Sequence, residues 1–246
     1  RILFLENLFF QNPVPIDIPG VSGQVSALDF TPDGDHLFVG TQNGSLYRVS
    51  GLKNLYTAAD LNQITVSNLS SASVGAGGIT SVAVDPNNPE RVVVTAGAYG
   101  LSDRIKISTN ALSGGTFMNI HGNLPGMPIY SAEIDRNDPN IILVGTEFGL
   151  WATANATDIA PTWSDENDQF SYVPVYDVRQ QSLPWEQAKN TGMYFIGTYG
   201  RGMWKSSSLV GIKDVDPLPT QKEALTGLKV YPNPMKDNGS LELTSA

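Results

Sequence analysis

The sequence predicts an all-β chain of about four β-propeller blades that belong to a larger propeller, and three observations carry that expectation. A pattern of three short β-runs recurs four times, with copies starting at Ser26, Ser81, Ser131 and near Val175, so that successive copies lie 55, 50 and 44 residues apart. A repeat of ~40–50 residues with several short strands per unit has the length of a propeller blade. Composition agrees: charged residues are 16% of the 246, against ~25% in an average domain, while 24 glycines and 16 prolines supply turns for many short strands. Long amphipathic runs of period 3.6, which helical repeats need, are missing from the sequence.

In chain order, residues 1–24 are an N-terminal segment, opening at Arg1 and expected to continue from an upstream region, and residues 25–209 hold the repeats. The first copy runs from Ser26 through Thr-Pro-Asp-Gly34 to Val-Gly-Thr41, turns at Gln-Asn-Gly44 and continues as Ser-Leu-Tyr-Arg-Val49. The second begins Ser81-Val-Ala-Val-Asp-Pro-Asn-Asn-Pro, continues to Val-Val-Val-Thr95 and turns before Gly100. The third passes Asp135 and a Pro-Asn turn to Ile-Ile-Leu-Val-Gly-Thr146, Glu-Phe-Gly149 and Leu-Trp-Ala152. The fourth ends in Tyr-Phe-Ile-Gly-Thr198, Tyr-Gly-Arg-Gly202 and Met-Trp-Lys205. Each first run is expected to be the inner strand, and each Asp-Pro segment a turn in which Asp caps backbone amides. Gly44, Gly100, Gly149 and Gly200 are expected in the hairpin between second and third strands, where positive φ suits glycine. Phe117 and Trp163, at the ends of the second and third units, are expected to wedge between neighbouring sheets.

The repeated Val-Asp-Pro-Asn-Asn-Pro, Val-Gly-Thr, Gly-Leu-Trp and Gly-Gly-Thr-Phe segments resemble the sialidase-type (Asp-box, BNR-type) propellers shared by sortilin-like ectodomains, xyloglucanase-type glycosidases and photosystem-assembly propellers. The segment from Gly197 to Trp204 is similar to the closing blade motif of that group. The box itself is degraded: Ser108-Thr-Asn110 has Asn for Asp and an insertion before Gly114, and Thr153-Ala-Asn155 precedes Thr162-Trp163 without the glycine. The resemblance covers about residues 25–208 and implies an architecture, with no catalytic residue carried over.

Residues 210–226 read as a linker, with Asp214, Asp216, Pro217 and Pro219 and little apolar periodicity. From residue 227 the sequence changes again. Val230, Tyr231, Pro232, Asn233 and Pro234, followed by an alternating strand-like run, resemble the opening of the C-terminal sorting domain of type IX secretion cargo. That resemblance implies a truncated β-sandwich over 227–246, recognition by the type IX machinery, and a secreted or outer-surface location.

The chemistry is sparse. A net charge of −9 repels phosphate backbones and anionic head groups, so nucleic acid is not expected as a partner. The longest apolar run, residues 2–10, is broken by Glu6 and Asn7 and falls far short of the ~20 residues a membrane helix needs; no membrane insertion is expected. With no cysteine and two histidines, thiol chemistry and Cys- or His₃-ligated metal sites are ruled out, and no cofactor is expected. The 165–168 acidic segment lacks the spacing of a calcium loop and reads as a solvated loop. A glycosidase needs two facing carboxylates, and no such pair is legible.

The resemblance implies ligand binding on the face carrying the second-to-third-strand hairpins and the connections between blades. There lie Tyr99, Asp103, Arg104, His121, Tyr130, Glu147, Phe148, Tyr199 and Arg201, most of them expected to be ordinary loop or packing residues. Glu147, Phe148, Tyr199 and Arg201 are the expected ligand-binding set: ring faces for a sugar or side chain, with Glu147 and Arg201 for directional hydrogen bonds. The expected function is binding of a polysaccharide or surface protein without chemistry. The alternative is the C-terminal part of a xyloglucanase- or sialidase-like glycoside hydrolase whose catalytic residues lie largely upstream.

Overall fold

A computed structural model describes residues 2–4, 15–74, 77–100, 102–168 and 171–208. The expected linker and sorting motif, Val230 to Pro234 included, lie outside the described residues. Four antiparallel sheets follow the repeat. The first blade holds β3 (Val25–Phe30), β4 (His36–Thr41), β5 (Leu46–Ser50) and β6 (Thr65–Asn68). The second holds β7 (Ile79–Val84), β8 (Val92–Ala96), β9 (Ile105–Ser108) and β10 (Met118–Asn119). The third is β11 (Ile129–Ile134), β12 (Ile142–Thr146), β13 (Gly149–Thr153) and β14 (Trp163–Asp165), and the fourth has three strands, β15 (Val175–Gln180), β16 (Tyr194–Thr198) and β17 (Met203–Ser206). Ahead of them an antiparallel pair, β1 (Ile2–Phe4) and β2 (Ile16–Ile18), packs against β4 and β5 of the first blade.

Within a blade each strand pairs with its sequence neighbour, so the sheets are plain meanders with the first strand innermost. The first strands of successive blades lie side by side. The second strands of the second and third blades are therefore covered on both faces, which explains why β8 and β12 are buried at every residue rather than at alternate ones. Alternation still decides where each side chain goes. Val92, Val94 and Ala96 join Phe38, Leu46 and Val82 in a core between the first and second blades. Val93 points the other way, to Ile107, Ala132, Ile142 and Trp163. In the third blade, Ile142 and Val144 face backward and Leu143 faces Val178 and Ile196 of the fourth. Phe117 and Trp163 sit in these cores between sheets, and the Trp163 Nε1–H donates to Ile120 O of the preceding blade at 3.0 Å.

The repeated polar motifs are local devices. Asp85 Oδ1 accepts from the amides of Asn87 and Asn88 at 2.8 and 3.2 Å, and Asp135 Oδ1 accepts from those of Asn137 and Asp138 at 2.7 and 2.8 Å. Thr41, Thr146 and Thr198 each close a hairpin by donating to the carbonyl of Ser45, Gly149 or Gly202 at 2.7–2.8 Å. At the hairpin tips Gly44, Gly100, Gly149 and Gly200 have φ between 75° and 88°. The segments that resemble a degraded box occupy the turns between third and fourth strands: Asn110 and Asn155 take a hydroxyl bond from Ser108 or Thr153 and accept the amide of Thr116 or Thr162 at 3.0 and 2.9 Å. Asn retains the acceptor oxygen that this turn requires.

The 165–168 segment departs from the solvated loop expected of it. Glu166 and Asn167 are buried, and Asn167 Oδ1 accepts the Leu150 amide at 2.8 Å, tying this segment to β13.

The glycine of each Gly-Thr pair marks where one blade meets the next. A Cβ on Gly145 would lie 2.6 Å from Val175 O of the fourth blade, and one on Gly40 would lie 2.4 Å from Ile79 Cγ2. On Gly197, at the same place in the fourth blade, the nearest atom would be 3.7 Å away. Gly145→Ala is therefore expected to cost about 1–3 kcal/mol in urea unfolding, the usual penalty for overpacking, whereas Gly197→Ala stays within about 0.5 kcal/mol.

Candidate functional site

Every innermost strand carries one extra residue. The register shifts between Val25 and Ala27, Ile79 and Ser81, Ile129 and Ser131, and Val175 and Asp177. The extra residues are Ser26, Thr80, Tyr130 and Tyr176, and a bulge re-aims the side chain it carries. In the first two blades that side chain is a short hydroxyl, and Ser26 and Thr80 donate to Ile79 O and Ile129 O of the following blade, each at 2.6 Å. In the last two blades it is a tyrosine, too long for that bond.

Ile129 pairs with Thr146 and Val175 with Thr198, so each bulge lies beside the hairpin between second and third strands of its own blade. The consequence is a tyrosine cluster. The rings of Tyr130 and Tyr176 have centroids 5.0 Å apart and an interplanar angle of 48°, and those of Tyr176 and Tyr199 are 6.0 Å apart at 82°. The Tyr130 hydroxyl donates to Glu147 Oε2. Burial, that hydrogen bond and the charges of Glu147 push the Tyr130 phenol well above the usual tyrosine range, so it stays protonated at any physiological pH. Tyr176 and Tyr199 remain 51% and 68% exposed, and Tyr99 and Phe148 are exposed as well, leaving apolar ring surface open to solvent at this end of the blades.

Of the four expected ligand residues, Glu147 and Tyr199 enter this cluster through Tyr130 and Tyr176. Phe148 and Arg201 are exposed on the tips of the same hairpins, where their carbonyls accept the indole N–H of Trp151 and Trp204 at 3.2 and 3.1 Å. No salt bridge among the described residues engages Arg201. Tyr176 was not among the expected residues; its signal was an aromatic residue at the place Tyr130 holds in the preceding copy, one residue before a short polar side chain. Arg104 is fully buried, its guanidinium donating to Ala98 O and Pro125 O at 3.2 and 3.3 Å and standing 3.4 Å from His121 Nε2. Burial and the adjacent Arg104 lower the His121 pKa, so this imidazole is neutral at physiological pH.

Further along the innermost strands, polar side chains clamp each blade to the next. Asp29 Oδ2 accepts the Val84 amide at 2.8 Å, Ser81 Oγ the Ala132 amide at 3.3 Å, Ser131 Oγ the Val178 amide at 3.1 Å, and Glu133 Oε1 the Gln180 amide at 3.1 Å. Arg179 lies 3.2 Å from Asp177 Oδ1 and 3.9 Å from Glu133 Oε2. Burial raises the Glu133 carboxyl to about 8, against the opposing Gln180 hydrogen bond and Arg179 charge, and burial likewise raises Asp29. These carboxyls are committed to holding backbone.

The fold and this face define a β-propeller protein. Several propellers of solved structure are similar to it. Sqt1 from Chaetomium thermophilum matches with a TM-score of 0.58 and 19% identity over 82% of this chain and 49% of that one. The Myceliophteria thermophila Cps50 (Swd1) β-propeller domain matches with a TM-score of 0.51 and 12% identity over 75% and 52%. The GH74 enzyme of Niastella koreensis matches with a TM-score of 0.51 and 18% identity over 78% of this chain and 30% of that one. The chain thus spans about half the length of the first two and less than a third of the GH74 enzyme, and likeness at these identities shows the fold alone. No family model matches the sequence, nor does any curated protein.

The raised Glu133 pKa has a signed consequence. The folded state holds this proton up to about 8 while the unfolded chain releases it near 4.5, so stability falls as pH rises between those values. Glu133→Gln, which stays neutral, is expected to raise stability at pH 8 by about 1 kcal/mol or more, the worth of one pKa unit, and to give no gain near pH 4.5. Chemical unfolding at the two pH values measures the difference.

Proposed function

We propose that this chain is a propeller module of a secreted or cell-surface protein, binding a polysaccharide or a surface protein through the face that carries Glu147, Phe148, Tyr199 and Arg201, without chemistry of its own. The observation that carries the reading is the tyrosine cluster: three rings from two blades, with Tyr176 and Tyr199 about half or more exposed, beside a hydrogen-bonding carboxylate. Aromatic rings offer large contact area with little conformational entropy to lose, and buried or half-buried hydroxyls give direction. At the opposite end Asp85 and Asp135 are buried, with their carboxylates already spent on their own turns. A propeller similar to this chain, Sqt1, has been solved bound to the N-terminus of the ribosomal protein L10, which supports a protein segment as one class of ligand.

Membership of the sialidase-type group is part of the proposal. Its support is the pair of Asn-centred turns in the second and third blades, which keep the box's hydrogen-bonding geometry. Export by type IX secretion rests on residues 230–234 alone. The second reading, a portion of a glycoside hydrolase, is favoured by the likeness to a GH74 enzyme.

Two experiments test the proposal. Tyr199→Ala combined with Arg201→Ala is expected to reduce retention on a glycan or host-surface array at least tenfold with the melting temperature unchanged; full retention removes the site, and cleavage of polysaccharide by the full-length protein favours the hydrolase. A reporter fused to the complete sorting region that begins at Leu228 is expected at the surface of a type IX-competent host, and a reporter held in the periplasm ends that part of the reading.

A further inference from the structure

We infer that the tyrosine corner formed by Tyr130, Tyr176 and Tyr199 beside Glu147 receives a cationic side chain, so that the partner of this face is an extended protein segment presenting arginine or lysine. The inference rests on the ligand face proposed above and narrows its occupant. Ring orientation is the first argument. A pyranose lies flat across a ring and is best served by coplanar rings in a strip, whereas these rings are turned from one another by 48° and 82°. Rings so turned form no flat strip, and their free faces point in different directions, where a compact head group can meet a single face.

Charge is the second. The negative face of each ring attracts a cation, and the tyrosines themselves carry no charge, since the Tyr130 phenol is held protonated and gives its hydrogen to Glu147. The formal negative charge at the corner sits on the Glu147 carboxylate. Of the nearby cations, Arg179 pairs with Asp177 and Arg104 is buried against two carbonyls and His121. Arg201, exposed on the Tyr199 hairpin, suits the carbonyl oxygens of an extended segment. The net charge of −9 adds long-range attraction for a basic partner.

The test uses the 246-residue chain and follows the tyrosine ring resonances by NMR, assigned through single Tyr→Phe variants. Probes are a Gly-Gly-Arg-Gly-Gly peptide, its citrulline counterpart of the same shape without charge, tetramethylammonium chloride, and cellohexaose. The arginine peptide and tetramethylammonium are expected to shift the rings of Tyr130, Tyr176 and Tyr199, with the citrulline peptide binding roughly three- to fivefold more weakly, the scale of an exposed cation–π contact. Tyr176→Phe is expected to keep that preference, and Tyr176→Leu, apolar but without a π face, to lose it with the fold intact. Equal binding of the two peptides overturns the inference, as does cellohexaose shifting the same rings while the cations leave them unmoved; in both cases the ligand face itself stands. Silence of these rings toward every probe overturns both the inference and the ligand face.

Discussion

The described structure depends on each sheet burying apolar surface against a neighbouring sheet. A three- or four-stranded meander has two apolar faces and cannot bury them alone, so blade pairs rather than single blades are the units of stability. Among the described residues four apolar cores lie between sheets. Leu28 and Phe30 on β3 are exposed, while Val82, Ala132 and Val178, which stand at the place of Leu28 in the later blades, are buried.

The same constraint explains the polar pattern along the innermost strands. First strands of adjacent blades lie close but do not pair as one sheet, so amides there need acceptors from side chains. Asp29, Ser81, Ser131 and Glu133 supply them. Burying carboxyls for this purpose disfavours their charged forms, which is why Glu133 and Asp29 titrate high. Their perturbation reports packing here, although raised carboxyls also occur at catalytic sites.

At the bulge one structural position serves two purposes. Ser26 and Thr80 use it to bond the following blade, whereas Tyr130 and Tyr176 direct a ring toward the hairpins. The exchange removes a hydroxyl link between blades and gains an aromatic surface. Bulges near functional sites commonly play this part, because the unpaired residue can change without breaking the ladder around it.

By itself the sequence determined the repeat, the strand order within a blade, the Asp-Pro turns and the glycine hairpins. These are local: a run such as Val92 to Ala96 specifies a strand through its own residues, and an Asp ahead of a Pro-Asn turn caps amides two and three residues away. It also brought Glu147 and Tyr199 forward as candidates, since both fall in equivalent hairpins. Only the tertiary structure decided that they share one cluster, because Tyr130 and Tyr176 meet across two blades from positions 46 residues apart. Their aim depends on a one-residue bulge that leaves no mark in hydrophobic periodicity. Burial of Arg104, Glu166 and Asn167 was likewise settled by packing, for each is polar and stands in a stretch that reads as loop. The reason is common to all of these: a pattern along the chain records which face of a strand is apolar, and only the neighbouring blade decides what that face, or the loop beyond it, is pressed against.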